Sequence, residues 1–212
     1  MSECQRPTIA TEVYRDEEGL LVDYGRRWEG TSPSDESYSQ ISHPERFAPL
    51  HAVATSLVEW LQDTFDVVVE SDPRVVADLL LVPDEVVQAI RVTPRDPASA
   101  PLTFVLTPFP GVYLHAGSLN GFHFPACGCD ACDDNVVSPL EELEWTVRTV
   151  VSGGYTEHLD DWPASWIDYK LEEPGIGLNS GRRAVGELPE ERMKLARTVM
   201  PAIGQWLPWQ EL

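Results

Sequence analysis

The chain has 212 residues, 42% of them hydrophobic, and carries 15 basic against 35 acidic residues for a formal charge of −20. That length suits one globular domain, which buries roughly 70% of its unfolded surface and so needs no metal to rescue a failing core. The charge argues against nucleic-acid binding, which depends on cationic side chains displacing counterions, and against anionic membrane surfaces.

Residues 1–48 are polar and irregular, punctuated by Gly25-Arg26-Arg27, Thr31-Ser32-Pro33-Ser34-Asp35 and His43-Pro44. They read as an N-terminal arm packed on the body, pinned by Tyr14, Tyr24, Trp28, Tyr38 and Phe47. Residues 49–212 then form a single α+β domain. Its first helix spans about 49–65, where Leu50, Val53, Ala54, Leu57, Val58, Leu61 and Phe65 recur at helical spacing. Val67-Val68-Val69 follows as a short strand. Asp72 caps a second helix with Pro73 at its first position and Pro83 beyond its end.

Residues 85–115 read as strands: Val86 to Val92, Leu102 to Leu106, and Val112 to Leu114, with prolines in the turns between them. Ser138-Pro139-Leu140-Glu141 is a capping box for a helix striped by Leu140, Leu143, Val147, Val150 and Val151 and ended by Gly153-Gly154. Strands near 165–171 and 178–185 flank a Pro174-Gly175 turn. A last helix runs from Pro189 to Met200, and Trp206 and Trp209 make a tail apolar enough to dock. Helices outside a central group of strands predict an α+β fold: a mostly antiparallel sheet with about four helices packed around it.

Chemistry concentrates in Cys127-Gly128-Cys129-Asp130-Ala131-Cys132. No stretch of about 20 apolar residues occurs, so no membrane-spanning helix is expected. The polar start Met1-Ser2-Glu3-Cys4 lacks the basic and apolar segments of a signal peptide. Both point to the cytoplasm, where thiols stay reduced or bind metal. Cys129 and Cys132 are spaced so that one turn aims two sulfurs at one ion. Cys127 adds a third across Gly128, whose missing Cβ lets the backbone fold tightly. Three thiolates suit zinc. The alternative is three free thiols, or a redox pair at Cys129 and Cys132. The fourth ligand is expected to be His115, returned over the cysteine loop by a hairpin turning at Gly117. His123, Asp130, Asp133, Cys4 and water remain the alternatives.

Zinc nucleoside deaminases need H-x-E before P-C-x-x-C. Here Gly117 stands in place of the glutamate and Ala126 follows Pro125, so that proton shuttle is missing. H-E-x-x-H, G-x-S-x-G, Walker A and G-x-G-x-x-G motifs are absent too. Arg182-Arg183 reads equally as an anion site or an exposed strand end.

The segments Ala100-Pro101-Leu102-Thr103-Phe104, Phe109-Pro110-Gly111, Leu114-His115-Ala116-Gly117 and Phe124-Pro125-Ala126-Cys127-Gly128-Cys129-Asp130-Ala131-Cys132-Asp133 resemble an uncharacterised actinobacterial family, a domain of unknown function. The resemblance runs over most of the chain, Cys-Gly-Cys-Asp-x-Cys is its specific part, and it implies no activity. Lys170 and Lys194 are the only lysines beside 13 arginines, which fits a GC-rich source. The reading that follows is a structural zinc site in a binding or interaction protein, monomeric or homodimeric. Its partner would be a protein met through the acidic surface or the Trp-rich tail. The alternative is a zinc-dependent hydrolase with an open fourth position, served by an acid such as Asp130 or Asp133.

Overall fold

The apolar stripe of residues 49–65 forms a helix because one face of it must leave water. In the computed structural model, which describes residues 4–10, 12–160, 166–184 and 188–212, it is α1 (Pro49–Thr64), with Leu50, Val53, Ala54, Leu57, Val58 and Leu61 buried. The arm before it contributes a small antiparallel ribbon of β1 (Tyr14–Arg15) and β2 (Leu21–Val22) and two 3-10 turns, Asp35–Tyr38 and Pro44–Phe47.

A five-stranded antiparallel sheet follows, its order matching the sequence: β3 (Val67–Ser71), β4 (Gln88–Pro94), β5 (Leu102–Leu106), β6 (Val112–Ala116) and β7 (Asn120–Phe124). Val86 and Val87 fall outside β4 and are exposed. The helix expected after Asp72 is the 3-10 segment Pro73–Asp78, whose first turn Asp72 caps by accepting from the Arg74 amide. Next comes α2 (Val137–Val151), with Leu140, Leu143, Val147 and Val150 buried. It starts earlier than the capping box implied: Asn135 Oδ1 accepts from the Val137 and Ser138 amides, and that side chain serves as the cap.

A second sheet joins β8 (Tyr155–Leu159), β9 (Trp166–Glu173) and β10 (Gly177–Ala184) in the order β10-β9-β8, all antiparallel. The strand expected near 165 starts at Trp166; residue 165 lies outside the described set. α3 (Glu190–Val199) closes the helices.

The alternation of strand side chains gives the large sheet two different faces. Ile90, Val92, Leu102, Phe104, Leu106, Val112, Leu114 and Ala116 belong to the main core with α1, α2 and the tail residues Trp206 and Trp209. The tail is held in place: Trp209 Nε1 donates to Ala100 O at 3.0 Å and Trp206 is 0% exposed. The opposite face packs Ala89 and Val105 against Val75 and Leu79 of the 3-10 segment. Among the described residues no helix is long and apolar enough to cross a membrane.

Candidate metal centre

The thiols lie on the loop between β7 and α2, which leaves the sheet at Pro125. Cys127 Sγ is 3.3 Å from Cys129 Sγ, and Cys129 Sγ is 3.5 Å from Cys132 Sγ. All three sulfurs lie within 4.8 Å of one another. A tetrahedral zinc with Zn–S near 2.3 Å wants sulfurs about 3.8 Å apart, so the loop need open only by a few tenths of an ångström. Cys129 is buried, while Cys132 reaches the surface.

The thiols already polarise one another. The Cys132 amide, followed by the Cys127 thiol, holds Cys129 below the usual thiol range. Hydrogen bonding to Cys127 and Cys129 pushes Cys132 up to about 12. Three thiolates this close repel, and the charge of a divalent cation offsets that repulsion and so holds the thiols deprotonated. Gly128 has a different use from the tight turn expected of it. A Cβ there would meet Phe109 Cζ at 2.5 Å, so the glycine lets the tip of an aromatic ring press against the loop.

The same loop moors the N-terminal arm. Asp130 N donates to Gln40 O at 2.9 Å and Ala131 N to Ser37 O at 3.0 Å. Asp130 accepts from Ser42 through both carboxylate oxygens, at 2.8 Å from the amide and 2.6 Å from the hydroxyl, and pairs with Arg27 at 3.6 Å. Asp133 Oδ2 accepts from the Arg27 amide at 2.8 Å, and Trp28 Nε1 donates to Asp130 O at 3.1 Å. Arg46, 2% exposed, donates to Gly128 O and Asp134 O on the loop and to Ser42 O and His43 O on the arm. Its guanidinium also lies 4.2 Å from the ring centroids of Tyr24 and Phe47. Of the expected aromatic pins, Tyr24 and Phe47 are buried, but Tyr38 is 63% exposed and pins nothing.

The structure brings Cys127, Cys129 and Cys132 together but leaves His115 out. The β6–β7 hairpin forms, and its antiparallel register explains the separation. His115 pairs with Gly121 beside the turn, whereas Val112 pairs with Phe124 at the end that leads to the cysteines. His115 is therefore three residues, about 10 Å, along the strand from the thiol end. It lines a different cavity, with Asp78, Arg91 and Thr103.

His123 shares a cavity of about 560 Å³ with Cys127 and Gly128. Cys4 rests against Ser56 of α1, and the expected alternatives Asp130 and Asp133 are engaged by the arm. Arg182, an anion-site candidate, is paired with Asp168 at 2.5 Å. Sequence reasoning passed over Arg46 and the arm's grip on the loop. The one signal for them is the arginine of the Pro-Glu-Arg-Phe turn, which burial alone makes informative.

No curated protein and no solved structure matches the chain. A family of unknown function (DUF6226) matches residues 10–212, and the chain belongs to that family.

Proposed function

We propose that this is a zinc-binding protein whose zinc is structural, held by the thiolates of Cys127, Cys129 and Cys132 and serving to fix the N-terminal arm onto the body. The observation that carries this reading is the coincidence of two roles in one loop. The residues between the thiols, Asp130 and Ala131, make the backbone and side-chain bonds that hold arm residues 37–42. An ion that sets the loop's shape sets the arm's seat with it, and binding energy at such a site is folding energy. His123 lines the same cavity as Cys127, which makes it the side chain to test as fourth ligand.

The geometry favours this over a hydrolase. A zinc-bound water needs a nearby base; both oxygens of Asp130 are committed to Ser42 and one of Asp133 to the Arg27 amide, which leaves only the buried Asp133 Oδ1 without a partner among the described residues. A reducing cytoplasm keeps the thiols available for the ion. On this reading the function is interaction with a protein partner through the acidic surface. The Trp-rich tail is not that surface, because Trp206 and Trp209 are buried in the core.

Metal analysis of protein purified without affinity metals tests the proposal. One zinc per chain, absent from Cys129→Ser together with a lowered melting temperature, is the expected result. Metal-free protein that melts like the zinc-loaded form would defeat it.

A further inference from the structure

The polar face of the large sheet holds a second candidate site, far from the thiols along β6. Arg91 of β4 stands beside Thr103 of β5, and Thr103 beside His115 of β6, so the three form a row across adjacent strands. Most of that face is closed by apolar packing; here it opens into a cavity of about 570 Å³, roofed by Arg192, Leu195, Ala196 and Val199 of α3. Pockets of a few hundred cubic ångströms with a few convergent polar groups are the usual form of a small-molecule site.

The row is held rigid. Asp78 takes Arg91 in a two-point bond, 2.6 Å at each oxygen, and accepts from the Thr103 hydroxyl at 2.6 Å. Arg192 reaches from α3 to the carbonyls of Ala77 and Leu79 at 3.0 Å, and to that of Asp78. Arg91 is thus balanced by Asp78 and, at 3.3 Å, by Glu70, whereas Arg192 bonds backbone carbonyls and meets no carboxylate among the described residues. Glu191 lies at the rim, where it pairs with Lys194 and is largely exposed.

His115 is 4% exposed, and its Nδ1 is buried without a hydrogen-bond partner among the described residues. A buried, unbonded ring nitrogen costs free energy that a ligand could recover. Burial and the nearby Arg192 keep the ring neutral, so it carries one proton, which the Asn120 backbone also draws on and a ligand at Nδ1 would compete for.

We propose that this cleft binds a small organic monocarboxylate, its charge taken by Arg192 and the His115 imidazole and its hydrocarbon body by Leu195, Ala196 and Val199. One guanidinium held by backbone carbonyls rather than by an acid, that of Arg192, matches one carboxylate. A net charge of −20 repels polyanions such as nucleotides more strongly than a monoanion. The apolar roof disfavours a ligand that is polar throughout.

The test is titration of zinc-loaded protein with hexanoate, using neutral hexanamide as control and following the His115 imidazole by ¹⁵N NMR. Hexanoate should shift the imidazole signals saturably and hexanamide should not. Arg192→Gln should weaken binding about tenfold or more, as loss of a charge-assisted bond does. Arg192 also ties α3 to the 3-10 segment, so Leu195→Trp supplies a second variant. Leu195 is 63% exposed, and a bulkier side chain there narrows the cleft without entering the core. Abolished binding in Leu195→Trp, with an unchanged melting temperature, supports the site. No saturable shift with hexanoate, an equal response to hexanamide, or undiminished binding in Leu195→Trp overturns it.

Discussion

His115 shows how burial fixes the behaviour of one residue. Burial first, then the positive field of Arg192, lowers its pKa from 6.5 to about 3. An unfolded chain takes up a proton at this histidine below pH 6.5, whereas the folded chain resists until about 3. The group's contribution to stability is therefore present above pH 6.5 and lost as the pH falls through that window. The slope is at most ~1.4 kcal/mol per pH unit. Urea unfolding at pH 6.5 and 5 should show the parent losing about 2 kcal/mol more than His115→Gln. Equal losses would mean the ring is protonated in the folded state.

Gly117, two residues further on, has φ +65°, and a Cβ there would lie 2.5 Å from Glu157 Oε2. Gly117→Ala should cost about 2 kcal/mol or more in denaturant unfolding, from strain and collision together. Arg46 bonds four carbonyls from a buried position, so Arg46→Met should cost about 3 kcal/mol by leaving those acceptors unmet. A variant within experimental error of the parent would show that water satisfies them.

At the scale of elements, the β6–β7 hairpin sets which histidine is to be tested as fourth ligand of the proposed zinc. His123→Ala should lower zinc affinity as measured by competition with a chromophoric chelator, and His115→Ala should leave it unchanged. The opposite result would require β6 and β7 to pair in another register. This separation was hidden in the sequence for a physical reason. The turn near Gly117 is visible as Ala-Gly-Ser, but where the chain goes after the second strand depends on how many residues pair, and pairing is a long-range property.

The helices were easier to read, because α1 and α2 carry a continuous 3.6-residue stripe that only one face can bury. The segment after Asp72 has its cap and its proline, but it closes as a 3-10 turn after six residues. β8 was missed. Tyr155-Thr156-Glu157-His158-Leu159 alternates as a strand should, yet its Glu157 is fully buried, and a buried glutamate looks like a surface residue in a sequence. The thiol cluster was legible from spacing alone. The cleft was not, because Arg91, Thr103 and His115 become neighbours only through strand pairing.

Across the whole molecule, the large sheet divides the work. One face makes the core with α1, α2 and the tryptophan tail, and the other carries the polar row under α3. The arm joins the first of these through Phe47 and Ile9 and is also seated on the thiol loop through Arg27, Trp28, Ser42 and Arg46. The core's apolar area is independent of the loop, so loss of metal should free the arm while the sheet and helices persist.

Hydrogen exchange read by mass spectrometry, with and without a zinc chelator, tests this most directly. One zinc is expected per chain, and its removal should speed exchange in residues 24–46 and in the loop at 126–135, with α1 and strands β4 to β6 still protected. Unchanged protection of the arm after complete removal of the metal, or a chain that never binds zinc, would contradict it.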